Sequence, residues 1–283
     1  MGPRTCCSGP GYGCDVVVLA ERRDGERRQY YIKLGRGQAY PTIAGMLKAD
    51  DVAGERWGWS KSGRLGRVSV VPPTTFDLME GFLERKTQVI YPKDLGLMVL
   101  LAGIRPGSHV VEAGAGSGFL TIMAALVACP TGRVYSFDVR RDSLEAARRN
   151  LERVGVSDCV DLRLGDVRDP KALEDLPLLD AALLDLPDPW NALPSLYPKL
   201  RPGGPVVVFL PTANQLEKLH TNLGGCWAIQ DAYETMARRV EVRPDAIRPG
   251  NWLAGFTGYI VALRKLEDGS EDCVRRGLGG GHG

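Results

Sequence analysis

Hydrophobic and polar positions follow one period in the first quarter of the chain and another beyond it. From Asp15 to Val71 short runs rich in Val, Ile and Tyr are broken by turn residues, a pattern that predicts β-strands. Asp15–Ala20 and Gln29–Leu34 flank the charged turn at Asp24-Gly25 and read as a hairpin, with weaker strand signals near Tyr40–Ile43 and at Arg67–Val71. After Pro72-Pro73, helical spacing of apolar residues predicts a short linking helix over Thr74–Leu83. Pro92 suits a first helical turn and opens a helix to about Gly103, with Leu95, Met98, Val99 and Leu101 on its apolar face. Asp94 fits that helix N-terminus for structural reasons.

Beyond His109, apolar runs alternate with helical patterns, which predicts a mostly parallel sheet in an α/β fold, preceded by a small N-terminal β-rich domain. The strands are Val110-Val111, Gly132–Asp138, Val160–Leu164, Ala181–Asp185 and Pro205–Leu210, with helices over Leu120–Cys129, Arg141–Val154 and Asn214–Leu223. A strand near Ala228–Glu234 and a final one at Gly258–Leu263 follow; Arg238, Arg239, Arg243 and Arg248 lie between them. The expected division is a flexible segment over 1–12, the β-rich domain over 13–73, the α/β domain over 74–266 and a Gly-rich disordered tail over 267–283.

A length of 283 residues accommodates two such domains, and 44% hydrophobic residues suffice for their cores. No apolar run approaches the roughly 18 residues of a membrane helix, and Met1–Tyr12 lacks the apolar core of a signal peptide. The expectation is a cytoplasmic protein without a membrane partner. A net charge of +2 does not by itself announce nucleic acid, although arginine arrives in clusters. The Arg148–Arg149 run reads as a solvated helix face. Trp57 and Trp59 beside Lys61 and Arg64 fit either a nucleic-acid surface or the core of a small module. Seven cysteines form no Cys-x-x-Cys pair and only three histidines are present, so no metal site is expected. The cysteines read as buried or free thiols, with disulfides as the alternative.

The candidate chemistry centres on His109–Thr121, where a strand end meets Gly114, Gly116 and Gly118 before a helix opening at about Phe119. Glycines there let the backbone bend sharply and lie against a ligand. A dinucleotide fingerprint needs glycine or alanine at position 119, which is Phe, so S-adenosylmethionine is favoured over NAD or FAD; an inert glycine-rich turn is the other reading. Ligands of open α/β sheets bind beyond the carboxyl ends of the strands, where Asp138, Asp166 and Asp185 each close one. Asp138 is placed to accept the ribose hydroxyls, Asp166 the adenine amino group with Val167 over the ring, and Glu112 stands near the methionine end. Asp185-Leu-Pro-Asp-Pro-Trp190 follows an apolar strand, and its two prolines fix a flat, acidic surface on which a planar base can lie; a proline-rich turn around a buried Trp is the bland reading.

Four segments together resemble the tRNA (adenine-58-N1)-methyltransferases: Arg85–Asp94, Glu112–Gly118, Leu184–Trp190, and Arg248-Pro249 with Gly255–Tyr259. The resemblance implies a class I methyltransferase (Rossmann-like) fold, S-adenosyl-L-methionine as donor, tRNA as partner and a homotetramer. It implies Asp185 as catalytic aspartate and Tyr91 as an active-site tyrosine. The cofactor-binding set expected is Gln88, Glu112, Gly114, Ala115, Gly116, Ser117, Gly118, Asp138, Val139, Asp166, Val167 and Asp185. Substrate contacts are expected from Tyr91, Pro187, Trp190, Arg238 and Arg248. Two positions depart from the family pattern: Phe256 stands where a His is usual, and Gln38–Thr42 lacks the expected histidines. The implied reaction is methyl transfer to N1 of adenine 58, with adenine 57 a further candidate. Transfer to another nucleic-acid base or a protein carboxylate is one alternative, and a non-catalytic RNA-binding subunit another.

Overall fold

The β-strand and helix patterns separate into two units, Met1–Leu83 with Arg238–Leu253, and Glu84–Ala237 with the remainder of the chain. The computed structural model describes residues 8–244 and 246–267. The expected tail from 268 onward, and residues 1–7 of the expected flexible start, lie outside the described residues. Residues 8–12 are tied down: the Pro10 carbonyl accepts from Gly54 N at 2.8 Å, and Tyr12 Oη donates to Asp50 at 2.6 Å.

In the first unit β1 (Asp15–Arg22), β2 (Arg27–Lys33), β5 (Ser60–Ser62) and β6 (Gly66–Val71) form an antiparallel sheet in the order β2-β1-β6-β5. β3 (Ala39–Thr42) and β4 (Gly45–Lys48) make a separate pair. Alternate residues Val16, Val18 and Ala20 of β1 and Val68 and Val70 of β6 turn inward with Ile32, Leu34 and Leu47, as the two-residue period of a half-buried strand requires. Trp57 and Trp59 pack against this cluster, which favours the core reading for both. Helix α1 (Thr75–Gly81) starts in a capping box between Thr74 and Asp77.

The same unit contains β13 (Ala237–Arg243) and β14 (Ala246–Ala254), a two-stranded sheet that no strand expectation covered. Val240, Val242, Ile247 and Leu253 on it are exposed, so burial had left no signal there. Arg239 approaches Glu80, and Pro244 lies against Gly25. The two compact units divide at Leu83 and Glu84, and this hairpin groups with the N-terminal residues.

The second unit is built on a seven-stranded sheet in the order β12-β15-β11-β10-β7-β8-β9. β7 (His109–Ala113), β8 (Arg133–Asp138), β9 (Val160–Leu164), β10 (Ala181–Leu184) and β11 (Pro205–Leu210) run parallel, while β15 (Tyr259–Lys265) is antiparallel to both β11 and β12 (Trp227–Glu234). Central strands β10 and β11 are buried throughout, as continuous apolar runs covered on both faces must be. The helices are α2 (Pro92–Leu101), α3 (Phe119–Ala128), α4 (Arg141–Val154), α5 (Leu193–Leu196) and α6 (Ala213–Asn222). Pro92 opens α2 and Phe119 opens α3, both where the sequence predicts them. Among the described residues no helix is long and apolar enough to cross a membrane.

The expectation of thiols fails at Cys129 and Cys159, which form a disulfide with Cα atoms 6.0 Å apart. Cys129 precedes β8 and Cys159 precedes β9, so adjacent parallel strands bring their entry loops together. Cys14 and Cys226 are disulfide-bonded as well.

Candidate active site

The glycine loop leaves β7 against the end of β8: Gly114 N and Ala115 N donate to Phe137 O at 2.9 and 3.0 Å. Gly114, Gly116 and Gly118 have φ of 92°, 52° and 82°, a region in which side chains are strained. At Gly114 a Cβ would also lie 2.1 Å from the Asp185 carbonyl oxygen, so only glycine lets the loop touch the residue that follows β10. Ser117 Oγ accepts from Lys86 N at 2.9 Å and Thr87 N at 3.3 Å, which lays the Arg85–Asp94 segment over the loop. Buried Asn150 on α4 completes the clasp by donating to Ser117 O and Glu84 O at 2.8 and 2.9 Å. Sequence reading missed Asn150, whose helical position carries no chemical signal.

The acids expected at the strand ends do converge. Ala113, Gly114, Asp138, Val139, Asp166, Val167, Asp185 and Pro187 all line one cavity of about 250 Å³ at the carboxyl edge of the sheet. Asp138, mostly buried, accepts Gly116 N at 2.9 Å on one oxygen and Arg140 N at 2.9 Å on the other, so the cofactor loop itself orients the carboxylate. Each oxygen keeps a lone pair for a ligand hydroxyl. Val139 is exposed beside it, whereas Val167 is buried in the cavity wall.

Asp166 is held by a residue that the sequence reading did not single out. Arg168 donates from Nε and Nη2 to Asp166, the latter at 2.6 Å, and from Nη1 to both Asp188 oxygens at 2.9 and 2.8 Å. The Arg168 guanidinium holds Asp166 below the usual carboxylate range. One side chain therefore ties the loop after β9 to the Asp185–Trp190 loop, a planar fork suited to two carboxylates. Asn191 Nδ2 adds a bond to Asp188 at 2.8 Å, and Gln215 of α6 donates to Pro187 O at 3.1 Å.

Asp185 differs from its neighbours: its backbone N–H bonds Ala113 O at 2.9 Å, but no side-chain hydrogen bond holds its carboxyl among the described residues. Burial, and then the charge of Asp138, push its pKa up to about 7. Glu112 lies one layer behind, fully buried and outside the cavity lining. Its Oε2 accepts from Thr121 Oγ1 at 3.0 Å and from Ser136 Oγ, while Oε1 is buried without a partner. Burial chiefly, aided by Asp185 and Asp138 and opposed by the two hydroxyl donors, raises its pKa to about 8. Two carboxyls on the cavity wall, Asp138 and Asp185, and a backbone cradle that a Cβ would fill suit a ligand with cationic and hydroxyl groups.

Tyr91, Gln88 and Trp190 of the same unit are not among the residues that line this cavity. Tyr91 is half-buried at the N-cap of α2, and Gln88 is exposed on the segment over the glycine loop. Trp190, half-buried, packs against the main core of the sheet. Arg238 and Arg248 belong to the other unit, where Arg238 donates to Gly250 O at 3.0 Å and Arg248 pairs with Glu241 at 3.0 Å.

Known proteins share both the sequence and this architecture. The chain is 32% identical over 267 residues, 84% of its own length and 92% of the relative's, to a tRNA (adenine(57)-N(1)/adenine(58)-N(1))-methyltransferase of Methanocaldococcus jannaschii. A tRNA (adenine(58)-N(1))-methyltransferase of Thermus thermophilus is 33% identical over 184 residues, covering 65% of this chain and 71% of the relative. The crystal structure of a tRNA (m1A58) methyltransferase from Aquifex aeolicus superposes with a TM-score of 0.81 at 29% identity, covering 92% of this chain and 100% of that one. A family model described as the tRNA methyltransferase complex GCD14 subunit matches residues 66–254, a span holding the glycine loop, the strand-end acids and the Asp185–Trp190 loop. With its class I methyltransferase fold, the chain belongs to the tRNA methyltransferase complex GCD14 subunit family.

Proposed function

We propose that this enzyme transfers a methyl group from S-adenosyl-L-methionine to N1 of adenine 58 in the T-loop of tRNA, as a homo-oligomer in the cytoplasm. The carrying observation is Asp185: a mostly buried carboxyl without a hydrogen-bond donor, at the sheet edge where the cofactor loop touches its backbone. Bound S-adenosylmethionine supplies an electrophilic methyl on a sulfonium. Asp138 fits its ribose and Asp166 its adenine, with Val139 and Val167 beside the ring. Adenine N1 already carries a lone pair, so the protein has no proton to remove before attack. Asp185 instead accepts from the exocyclic amino group, which enriches N1 and stabilises the positive charge that develops on the base.

A carboxylate acceptor fits poorly, since it would enter beside Asp185 and Asp138 and add a like charge. An adenine turning cationic gains from the same acids. The target lies in folded RNA, so the base has to be taken out of its loop and read by stacking and edge contacts, with Tyr91, Pro187 and Trp190 as candidates. Arg238 and Arg248 supply phosphate contacts in this reading. The exposed apolar side chains Val240, Val242, Ile247 and Leu253 support self-association.

Incubation with unmodified tRNA and labelled cofactor, followed by nucleoside mass spectrometry, tests the reading; 1-methyladenosine at position 58 is expected, and position 57 is scored in the same digest. Asp185→Asn should keep cofactor affinity and lose about 10²- to 10³-fold in turnover. Asp185 accepts best when ionised, so single-turnover rates should rise with pH and level off above about 7. Near-normal single-turnover rates in Asp185→Asn, or a label on another nucleoside, would overturn the proposal.

A further inference from the structure

Away from the cavity, the start of α2 carries a buried ionic knot that the reaction does not use. Asp94 is fully buried and the Lys93 side chain is 8% exposed. Lys93 Nζ lies 2.9 and 3.0 Å from the two Asp94 oxygens, 2.9 Å from Thr235 Oγ1, 3.0 Å from Thr235 O and 2.6 Å from Thr257 Oγ1. Thr235 Oγ1 and Thr257 Oγ1 donate in turn to Asp94 Oδ1 and Oδ2, the second at 2.7 Å. Thr235 and Thr257, 142 and 164 residues beyond Lys93, thus meet the start of α2 on one ion pair.

Their positions in the sheet explain why the meeting matters. Thr235 follows the last residue of β12, and Thr257 stands two before the first residue of β15; Glu234 and Tyr259 pair across the two strands. Tyr259 also pairs with Leu210, the last residue of β11, so the knot sits at the carboxyl edge on the side away from β9. Gly258 is wedged there, since a Cβ on it would lie 2.6 Å from the Phe209 ring. Tyr91 caps α2, whose first turn holds Lys93 and Asp94, and its carbonyl accepts Asp94 N at 2.9 Å. Phe256, half exposed, precedes Thr257 and meets the Tyr259 ring edge-on with centroids 4.9 Å apart. The knot therefore joins the backbones that carry Tyr91 and Phe256. Buried ion pairs contribute little net stability against apolar replacements of similar volume, whereas fixing one register among alternatives is their best-attested use.

We infer that Lys93 and Asp94 are positioning residues for methyl transfer, locking Tyr91 and Phe256 in fixed register as two aromatic walls for the acceptor base. The inference rests on the adenine-N1 reading for the identity of that base. With the knot loosened, cofactor binding at Gly114 and Asp138 should be untouched, while the acceptor loses its near-attack placement; a displacement of about 1 Å costs on the order of 10²-fold in rate.

The test uses the full chain with the pair replaced by apolar residues, Lys93→Met with Asp94→Leu. The expected result is an unchanged cofactor Kd, a kcat on tRNA about 10²-fold lower, and faster amide hydrogen exchange in 88–92 and 255–259 together. Should the double variant fail to fold, Thr257→Val removes one donor and Thr257→Ser restores it, so activity should fall in the first and return in the second. Unchanged exchange in either segment overturns the knot as their link, whatever the activity. Raised exchange with wild-type kcat overturns its part in the reaction. Wild-type protein that methylates no adenine of tRNA removes the adenine reading instead, and the exchange experiment still decides whether the knot fixes the two segments.

Discussion

Replacing Glu112 with glutamine probes the electrostatics of the site independently of its chemistry. The carboxyl titrates at about 8 in the folded protein, mainly through burial, against an ordinary value of 4.5. Between those values the folded protein keeps a proton that the unfolded chain has released, so the stability this group contributes is complete below about 4.5 and is lost as pH rises through about 8. One pKa unit corresponds to about 1.4 kcal/mol, which sets a ceiling of about 5 kcal/mol for the whole shift and about 4 kcal/mol between about pH 5 and pH 8. Water entry and relaxation around a buried charge lower that ceiling. Glutamine keeps the shape, and its amide oxygen still accepts from Ser136 and Thr121, but it cannot ionise. Urea unfolding of both proteins across this range should give a stability difference, variant minus wild type, that grows by about 1 kcal/mol per pH unit. Asp185 and Asp138 are present in both proteins, so subtraction removes their own titration to first order. A difference that changes by less than about 0.3 kcal/mol per unit would refute the assignment of Glu112 as a neutral acid at pH 7.

Two further substitutions address the cradle and the cross-link. Gly114→Ala places a methyl 2.1 Å from the Asp185 carbonyl at a φ of +92°, so calorimetric titration should show S-adenosylmethionine affinity at least about tenfold weaker; wild-type affinity would remove the loop from the cofactor site. Cys129→Ser opens a disulfide spanning 30 residues, and loop-closure entropy sets the loss at about 3–4 kcal/mol in denaturant unfolding, with the cofactor Kd unchanged because the bond lies at the amino edge of the sheet. A shifted Kd would show that this edge communicates with the cavity.

The central strands β10 and β11 were legible as unbroken apolar runs closed by turn residues, and the glycine loop because Gly114, Gly116 and Gly118 announce a backbone that side chains cannot follow. Asp138, Asp166 and Asp185 were legible for a topological reason, since carboxyl ends of parallel strands face the same crevice. What stayed hidden depends on pairs distant in sequence. Arg168 looks like any loop arginine until the Asp188 loop is folded against it, and Lys93 needs Thr235 and Thr257 to become more than a helix-start cation. The cysteine spacing could not state that Cys129 pairs with Cys159, because pairing follows from β8 and β9 being neighbours. The β13–β14 hairpin escaped notice because its apolar residues stay exposed, which leaves alternation without burial.

The hairpin at Arg238–Leu253 has a consequence for how the chain is made. It belongs with the N-terminal unit, yet it is encoded after all of the catalytic sheet except β15. β15 in turn sits between β11 and β12, so the large sheet also waits for residues Tyr259–Lys265. On the ribosome, which emits residues from the N-terminus, neither unit can close before the other is nearly complete. The early strands β1 to β6 spend most of translation without their partner hairpin, and β12 emerges with no neighbour to pair with. A fragment ending at Leu83 therefore lacks part of the first unit, whereas one starting at Glu84 holds every strand of the large sheet, which is complete only when the chain reaches Lys265.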